Sequence, residues 1–136
     1  MTDRDRVSMA LLALRIGVFI VMFMWTLDKF VNSAHAARVF DSFYGLGGFG
    51  PGVMAAIGVA ELILILAFVS GYQKRISYGG VLILHAVSTF SSYRQYLEPF
   101  SNLLFFAAWP MLAACFALYL LRDFDTKWTV ALSRKT

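Results

Sequence analysis

The stretch Val53-Met-Ala-Ala-Ile-Gly-Val-Ala-Glu61-Leu-Ile-Leu-Ile-Leu-Ala-Phe-Val69 decides the fold, because it is apolar except for one carboxylate. A hydrocarbon core of about 30 Å is crossed by roughly 17–25 helical residues. The stretch therefore predicts a transmembrane helix with Glu61 near its middle. A bare carboxylate there costs roughly 2.5–3.5 kcal/mol on insertion scales, so Glu61 is expected to have a partner or a use.

The composition extends this prediction to the whole chain. Of 136 residues, 60% are hydrophobic and only 15% are charged, whereas soluble domains carry about 25% charged residues. We predict a single transmembrane domain, residues 1–136, without a soluble catalytic domain. The net charge of +4 is accounted for by basic ends beside anionic membrane lipids and requires no nucleic acid.

Four apolar stretches predict an all-α integral membrane four-helix bundle, with helices at about 7–30, 52–71, 76–93 and 100–121 and an outer loop at 31–51. The small residues Ala34-His35-Ala36 resemble a signal-peptidase site. The preceding apolar stretch is too long for a signal peptide, and Asp28 and Lys29 separate it from that site. The first span is therefore expected to be a retained helix.

Basic residues predict the orientation. With a cytoplasmic N-terminus, the inner side collects Arg4, Arg6, Lys74, Arg75, Arg122, Lys127, Arg134 and Lys135, and the outer side holds Lys29, Arg38 and Arg94. Cytoplasmic loops carry an excess of Lys and Arg. Both termini are thus predicted to be cytoplasmic, in a bacterial-type inner membrane.

Two polar or broken segments interrupt the apolar pattern. Glycines interleave with aromatic residues between Phe40 and Gly52 in the outer loop, which predicts an irregular segment at the interface. It is either a connector with membrane-surface anchors or a lid over a cavity. Trp109-Pro110 predicts a kink in the last helix and a freed carbonyl near Phe106.

Three predicted helices each contain one ionisable residue: Arg15, Glu61 and His85. Their distances from the helix ends predict that all three lie near one plane at mid-membrane. Intramembrane ionisable residues commonly mark ion, proton or substrate paths. Two structural alternatives remain open. In the first, Arg15 and Glu61 form a buried ion pair that fixes helix packing. In the second, His85 is a core histidine bonded to a serine or a carbonyl.

Helical spacing adds further polar residues to this plane. Lys29 is predicted to lie on the same face of the first helix as Arg15. Ser88, Thr89 and Ser92 are predicted to share one face of the third helix with His85. Together they predict a polar seam from mid-membrane to the outer surface. As alternatives, the hydroxyl groups bond back to their own helix, and Asp28 and Lys29 extend to the interface.

Several chemistries are excluded or weakened. The single cysteine, Cys115, offers no internal disulfide exchange. The pattern contains no metal-ligand cluster, phosphate-binding loop or nucleophile triad. A haem with two histidine ligands from this chain is disfavoured, because His35 falls in the outer loop, while His–Met ligation or a partner's histidine stays open.

The chain resembles the DoxX/DoxD-like four-helix membrane proteins. The resemblance is carried by Arg15, Asp28-Lys29-Phe30, Gly58-Val59-Ala60-Glu61, the Gly- and Pro-rich segment 45–52 and the Gly71 turn, and it covers nearly the whole chain. DoxD-type members are associated with thiosulfate:quinone oxidoreductase, and DoxX-type members with membrane redox and oxidative-stress assemblies. The resemblance implies a redox role at a membrane.

We therefore expect the seam to bind a small lipophilic redox molecule, a quinone, with electrons from a protein partner. Arg15 and Lys29 would orient its oxygens, Glu61 and His85 would exchange protons, and Ser88, Thr89, Ser92 and Trp109 would line the site. The chain would then be the membrane subunit of a quinone-linked oxidoreductase. It would assemble with a protein partner or with further copies of itself. The main alternative is a non-catalytic accessory or anchoring subunit of a larger membrane complex. A small-solute carrier is a weaker alternative, because the chain has no internal repeat.

Overall fold

A computed structural model describes residues 1–48 and 50–130 of the chain. Over these residues the protein contains helices and no strands, which confirms the all-α prediction. The α-helices are α1 Asp3–Val31, α2 Ser33–Tyr44, α3 Pro51–Val69, α4 Lys74–Ser91, α5 Tyr93–Tyr96 and α6 Ala108–Leu120. Two residues used to predict the orientation, Arg134 and Lys135, lie outside the described residues, as does Phe49 of the outer loop.

Three segments are long and apolar enough to cross a membrane: Asp3–Val31, Pro51–Val69 and Leu103–Leu120. Helix α4 has 18 residues but is less apolar, because Lys74 and Arg75 begin it and hydroxyl residues fill its last turns. The first span is longer than predicted, since its 29 residues extend to a capping box. There Thr2 and Asp5 each accept a hydrogen bond from the other's backbone N–H.

The four long helices pack around one core. Helix α1 lies against α3 and α6, and α4 lies against the same two helices. Each helix buries only a narrow stripe of side chains and leaves the rest of its apolar surface outside, as expected where lipid covers the outer faces. The core consists of Leu11, Val18, Ile65, Phe68, Tyr78, Val81, Cys115 and Leu118. We call the end of the bundle at which α1 begins the inner end, and the opposite end the outer end.

The predicted outer loop contains a helix. Segment Ser33–Tyr44 forms α2, which packs on the ends of α1 and α3 and ends at Gly45 in the left-handed conformation. The prediction of a loop was wrong for Ser33–Tyr44, and that of an irregular segment was wrong for Phe40–Tyr44. An alanine-rich stretch with Ala36 on the buried side forms a helix until the first glycine stops it. Residues 46–48 remain irregular.

The last span is broken differently from the prediction. Leu103–Ala107 forms a 3₁₀ helix and the α-helix begins only at Ala108, so Pro110 stands in its first turn rather than inside a continuous helix. Proline is tolerated in a first turn because the N–H it lacks would have no partner there. The tighter 3₁₀ turns occupy the upstream segment.

The chain after α6 folds back onto the inner end. Ser8 Oγ donates a hydrogen bond of 3.1 Å to Phe124 O, and Val130 N donates one of 2.9 Å to Ser70 O. Gly71 has φ +70°, and a Cβ there would lie 2.5 Å from Thr129 Cγ2. The glycine at this turn therefore serves both the backbone conformation and the close approach of the C-terminal segment.

Candidate functional site

Arg15 is fully buried and bonded to the C-terminal segment. Its guanidinium forms an ion pair with Asp125 and donates hydrogen bonds of 2.6 Å to Lys127 O and 3.3 Å to Trp128 O. Tyr78 donates a hydrogen bond of 2.6 Å to the second carboxylate oxygen of Asp125, and Lys74 Nζ donates one of 2.5 Å to Asp125 O. We call Arg15, Lys74, Tyr78 and Asp125 the inner cluster.

The alternative that Arg15 pairs with Glu61 is wrong, because each residue pairs with a different partner. A helical side chain leans toward the N-terminus of its own helix. Helices α1 and α3 run in opposite directions, so Arg15 extends toward the inner end and Glu61 toward the outer end. Sequence reasoning missed Asp125, which follows the last span in a segment that the composition treats as a tail.

Glu61 instead pairs with Lys29, and we call these two residues the outer pair. Lys29 Nζ lies 3.0 Å from Glu61 Oε2 and donates a further hydrogen bond of 3.4 Å to Trp25 O. Thr26 Oγ1 lies 3.2 Å from the same carboxylate oxygen. The lysine side chain is 7% exposed and the glutamate side chain is 17% exposed. The outer pair is thus largely desolvated, but the Glu61 side chain is partly exposed, unlike that of Asp125, which is fully buried.

Aromatic rings enclose the outer pair. Lys29 Nζ lies 5.6 Å from the centre of the Phe40 ring of α2, a distance typical of a cation–π contact. A Cβ on Gly58 would lie 2.8 Å from the Phe30 ring. The sequence predicted close approach at Gly58 by a backbone or a ligand, and the structure places a side chain of α1 there. Helix α2 therefore covers the outer pair from the outer end.

A second ionisable pair stands where α1 meets α2. His35 Nδ1 lies 2.6 Å from Asp28 Oδ2, with the histidine side chain 41% exposed. The Trp25 and His35 rings stack with their centres 6.2 Å apart. We call Asp28 and His35 the outer dyad. Sequence reasoning placed His35 in a loop and gave it no role; its spacing of seven residues from Asp28 across the Asn32 break was the only available signal.

The structure does not bring His85 to the outer pair. Its Nε2 lies 3.0 Å from Ala108 O, which matches the alternative of a core histidine bonded to a carbonyl. Thr89 Oγ1 donates to His85 O and Ser92 Oγ donates to Ser88 O, so both hydroxyl groups bond back to their own helix. Trp109 packs its ring against Phe90 and Tyr96. The α4 half of the predicted seam, apart from the half-buried Ser88, is thus occupied by internal contacts.

Two clefts lie at the outer end. One, of about 200 Å³, is lined by Met24, Trp25, Asp28 and His35. The other, of about 590 Å³, lies between the end of α2 and the start of α5, with Asp41 and Gln95 among its lining residues. Beside it, burial raises the pKa of the Tyr96 phenol, which keeps the phenol protonated. Neither cleft has Arg15, Glu61 or His85 in its lining.

No protein-family model, curated protein or solved structure matches this chain. Residues 1–48 and 50–130 also contain no group of three or more His, Cys, Asp or Glu side chains that could hold a metal ion.

The outer pair and the ring beside it combine three kinds of chemical group. Lys29 supplies a cationic donor, Glu61 a carboxylate and Phe40 an aromatic face. Arg15 is separated from this group because its guanidinium bonds to Asp125 and to the carbonyl oxygens of Lys127 and Trp128.

Proposed function

We propose that this chain is a multi-pass protein of a bacterial-type inner membrane that binds a quinone-like lipophilic molecule at the outer pair. Four long helices would cross the bilayer, with α4 as the fourth span, whose polar residues Ser77, His85 and Thr89 are buried. Both termini would lie in the cytoplasm. The orientation is supported by the basic residues concentrated at the inner end, among them Lys74, Arg75 and Arg122.

The observation that carries the proposal is a partly accessible ion pair inside an apolar helix bundle. Lys29 and Glu61 lie 3.0 Å apart, with the Phe40 ring of α2 over the lysine. A buried ion pair offsets its desolvation cost only when further hydrogen bonds support it, as they do for Arg15 and Asp125. The Glu61 side chain is instead partly exposed, which suits a proton-exchanging group.

Each residue has a distinct role in this proposal. When bound, a quinone accepts two electrons from a protein partner and two protons. The ammonium of Lys29 orients one ligand oxygen and favours negative charge on it. Glu61 takes up and releases a proton beside that oxygen, and Phe40 supplies an apolar wall that excludes water. Arg15 and His85 then hold the bundle together instead of acting on the ligand.

Retention of quinone tests the proposal. Removing one charge alone would leave its partner buried and uncompensated, at a cost of about 3–5 kcal/mol. The informative variant is therefore the double substitution Lys29→Gln with Glu61→Gln, compared with Glu98→Gln, an exposed glutamate at the outer end. Protein purified in mild detergent is extracted, and the bound lipids are identified by mass spectrometry.

We expect wild-type protein and the Glu98→Gln control to retain quinone, and the double variant to lose it while melting near the wild-type temperature. Wild-type protein without quinone would contradict the proposal. The second candidate, an accessory or anchoring subunit, is favoured by the internal contacts of Arg15 with Asp125 and of His85 with Ala108 O. It predicts no bound quinone and a membrane complex that is indifferent to the outer pair.

A further inference from the structure

We propose that the outer dyad, Asp28 and His35, is a second proton-donating site that faces the same ligand from the small cleft. This inference rests on the proposed quinone-like ligand of the outer pair. It differs from the sequence prediction, which assigned the histidine role to His85.

The hydrogen-bond pattern of His35 leaves one ring nitrogen available. Nδ1 lies 2.6 Å from Asp28 Oδ2. In the described part of the chain, no protein group is bonded to Nε2. A carboxylate on one nitrogen of an imidazole sets the ring orientation and the tautomer, so that the other nitrogen acts on the ligand. By contrast, His85 already places Nε2 against Ala108 O.

The cleft in front of the dyad suits the edge of an aromatic ring. Its volume of about 200 Å³ is below the roughly 300–1,000 Å³ of pockets that enclose a whole ligand. The ring of Trp25 stacks on His35 and, together with Met24, forms an apolar wall that is about half exposed. A ring could enter at this wall while its lipophilic tail stays in the membrane.

The outer dyad and the outer pair meet on the last turns of α1. Asp28 and Lys29 are consecutive, and Trp25 contributes its carbonyl to Lys29 and its ring to His35. The ionisable side chains of these two pairs are Asp28 and Lys29 on α1, His35 on α2 and Glu61 on α3. Reduction of a quinone-like ring requires two protons, and these two pairs provide two separate groups to deliver them.

His35 donates its proton from Nε2: the Nε2–H bond breaks and an O–H bond forms on the ligand oxygen, while Nδ1–H stays bonded to Asp28. Asp28 stabilises the imidazolium before the transfer. The two electrons come from the electron-donating protein partner, and His35 regains its proton from water at the outer surface. The outer pair delivers the other proton.

Histidine-selective NMR tests this inference, because the chain has only two histidines. The full-length protein in lipid nanodiscs carries ¹⁵N-labelled histidine and is titrated with a short-tailed 1,4-benzoquinone. Binding is measured independently by quenching of Trp25 fluorescence in a Trp109→Phe, Trp128→Phe background. Asp28→Asn is the test variant, and Asp41→Asn, an exposed carboxylate at the far end of α2, is its matched control.

We expect saturable quenching together with a shift of the His35 Nε2 resonance, while the His85 resonances stay in place. Asp28→Asn should change the His35 tautomer ratio and weaken binding several-fold, and Asp41→Asn should do neither. Binding that depends on Lys29 and Glu61 but leaves His35 unshifted would overturn this inference alone. A shift at His85 in place of His35 would overturn it in favour of the α4 seam. Absence of any saturable binding would overturn this inference and the proposed function together.

Discussion

At the residue scale, the membrane cost of each charge is met by a specific partner. Arg15, Lys29 and Glu61 are all expensive in an apolar bundle, and each forms an ion pair with a residue on another segment. The two ion pairs separate toward opposite ends of the bundle, because side chains on antiparallel helices lean in opposite directions. This pairing shows how an apolar chain of 136 residues accommodates charge on several helices.

A double-mutant cycle distinguishes the observed pairing from the predicted one. Asp125→Asn leaves the Arg15 charge uncompensated and should cost about 3–5 kcal/mol. Adding Arg15→Gln should recover a large part of this loss, because the double variant contains no isolated charge. The same cycle with Arg15 and Glu61 should be additive. Melting in detergent measures all variants, and a strong coupling of Arg15 with Glu61 but not with Asp125 would contradict the described pairing.

Also at the residue scale, the sequence predicted which ionisable residues lie in apolar helices. It did not predict which residues they pair with. Spacing and hydropathy identified Glu61, Lys29 and Arg15. The partner of Arg15 lies 110 residues away, in a polar segment without periodicity, so no local pattern indicates it. The hydroxyl groups of Thr89 and Ser92 share a face with His85 as predicted, but a helix offers them nearer acceptors on its own backbone.

At the element scale, the apolar spans were predictable because length and hydropathy determine them directly. Helix α3 runs Pro51–Val69, close to the predicted 52–71. Helix α2 was not predicted, since twelve residues with moderate hydropathy are consistent with either a loop or a helix. Its position depends on tertiary contacts with α1 and α3, which no local signal reveals.

Docking of α2 depends on one small buried residue. Ala36 is only 3% exposed, whereas Ala34, two residues earlier, is exposed. Ala36→Leu should overpack the contact and cost about 1–3 kcal/mol, and it should increase hydrogen exchange over 33–44. Ala34→Leu keeps the same chemistry on the exposed side and should leave exchange unchanged. Equal effects of both substitutions would show that α2 is not packed as described.

At the scale of the whole molecule, the bundle has different chemistry at its two ends. The inner end is closed by the returning C-terminal segment, in which the carboxylate of Asp125 is fully buried. The outer end carries the partly exposed side chain of Glu61, the half-exposed His35 and both clefts. A ligand from the membrane or from the outer surface would therefore meet the outer end.

Cysteine labelling tests the orientation of these ends. The native Cys115 is 2% exposed and should give a low background. Cysteine introduced at Ser42 or Arg94, both exposed at the outer end, should react with a membrane-impermeant maleimide in intact spheroplasts. Cysteine at Arg75, exposed at the inner end, should react only after the inner membrane is permeabilised. The reverse pattern would contradict cytoplasmic termini.

Photo-crosslinking with a short-tailed azidoquinone tests the central claim most directly, because it reports where such a molecule sits in the intact protein. The protein in native-lipid nanodiscs is illuminated with and without excess unmodified quinone, and the labelled peptides are mapped by mass spectrometry. We predict label that excess quinone displaces, in the region Trp25–Phe40 and around Glu61. Displaceable label confined to the region His85–Trp109, or none at all, would contradict a quinone site at the outer pair.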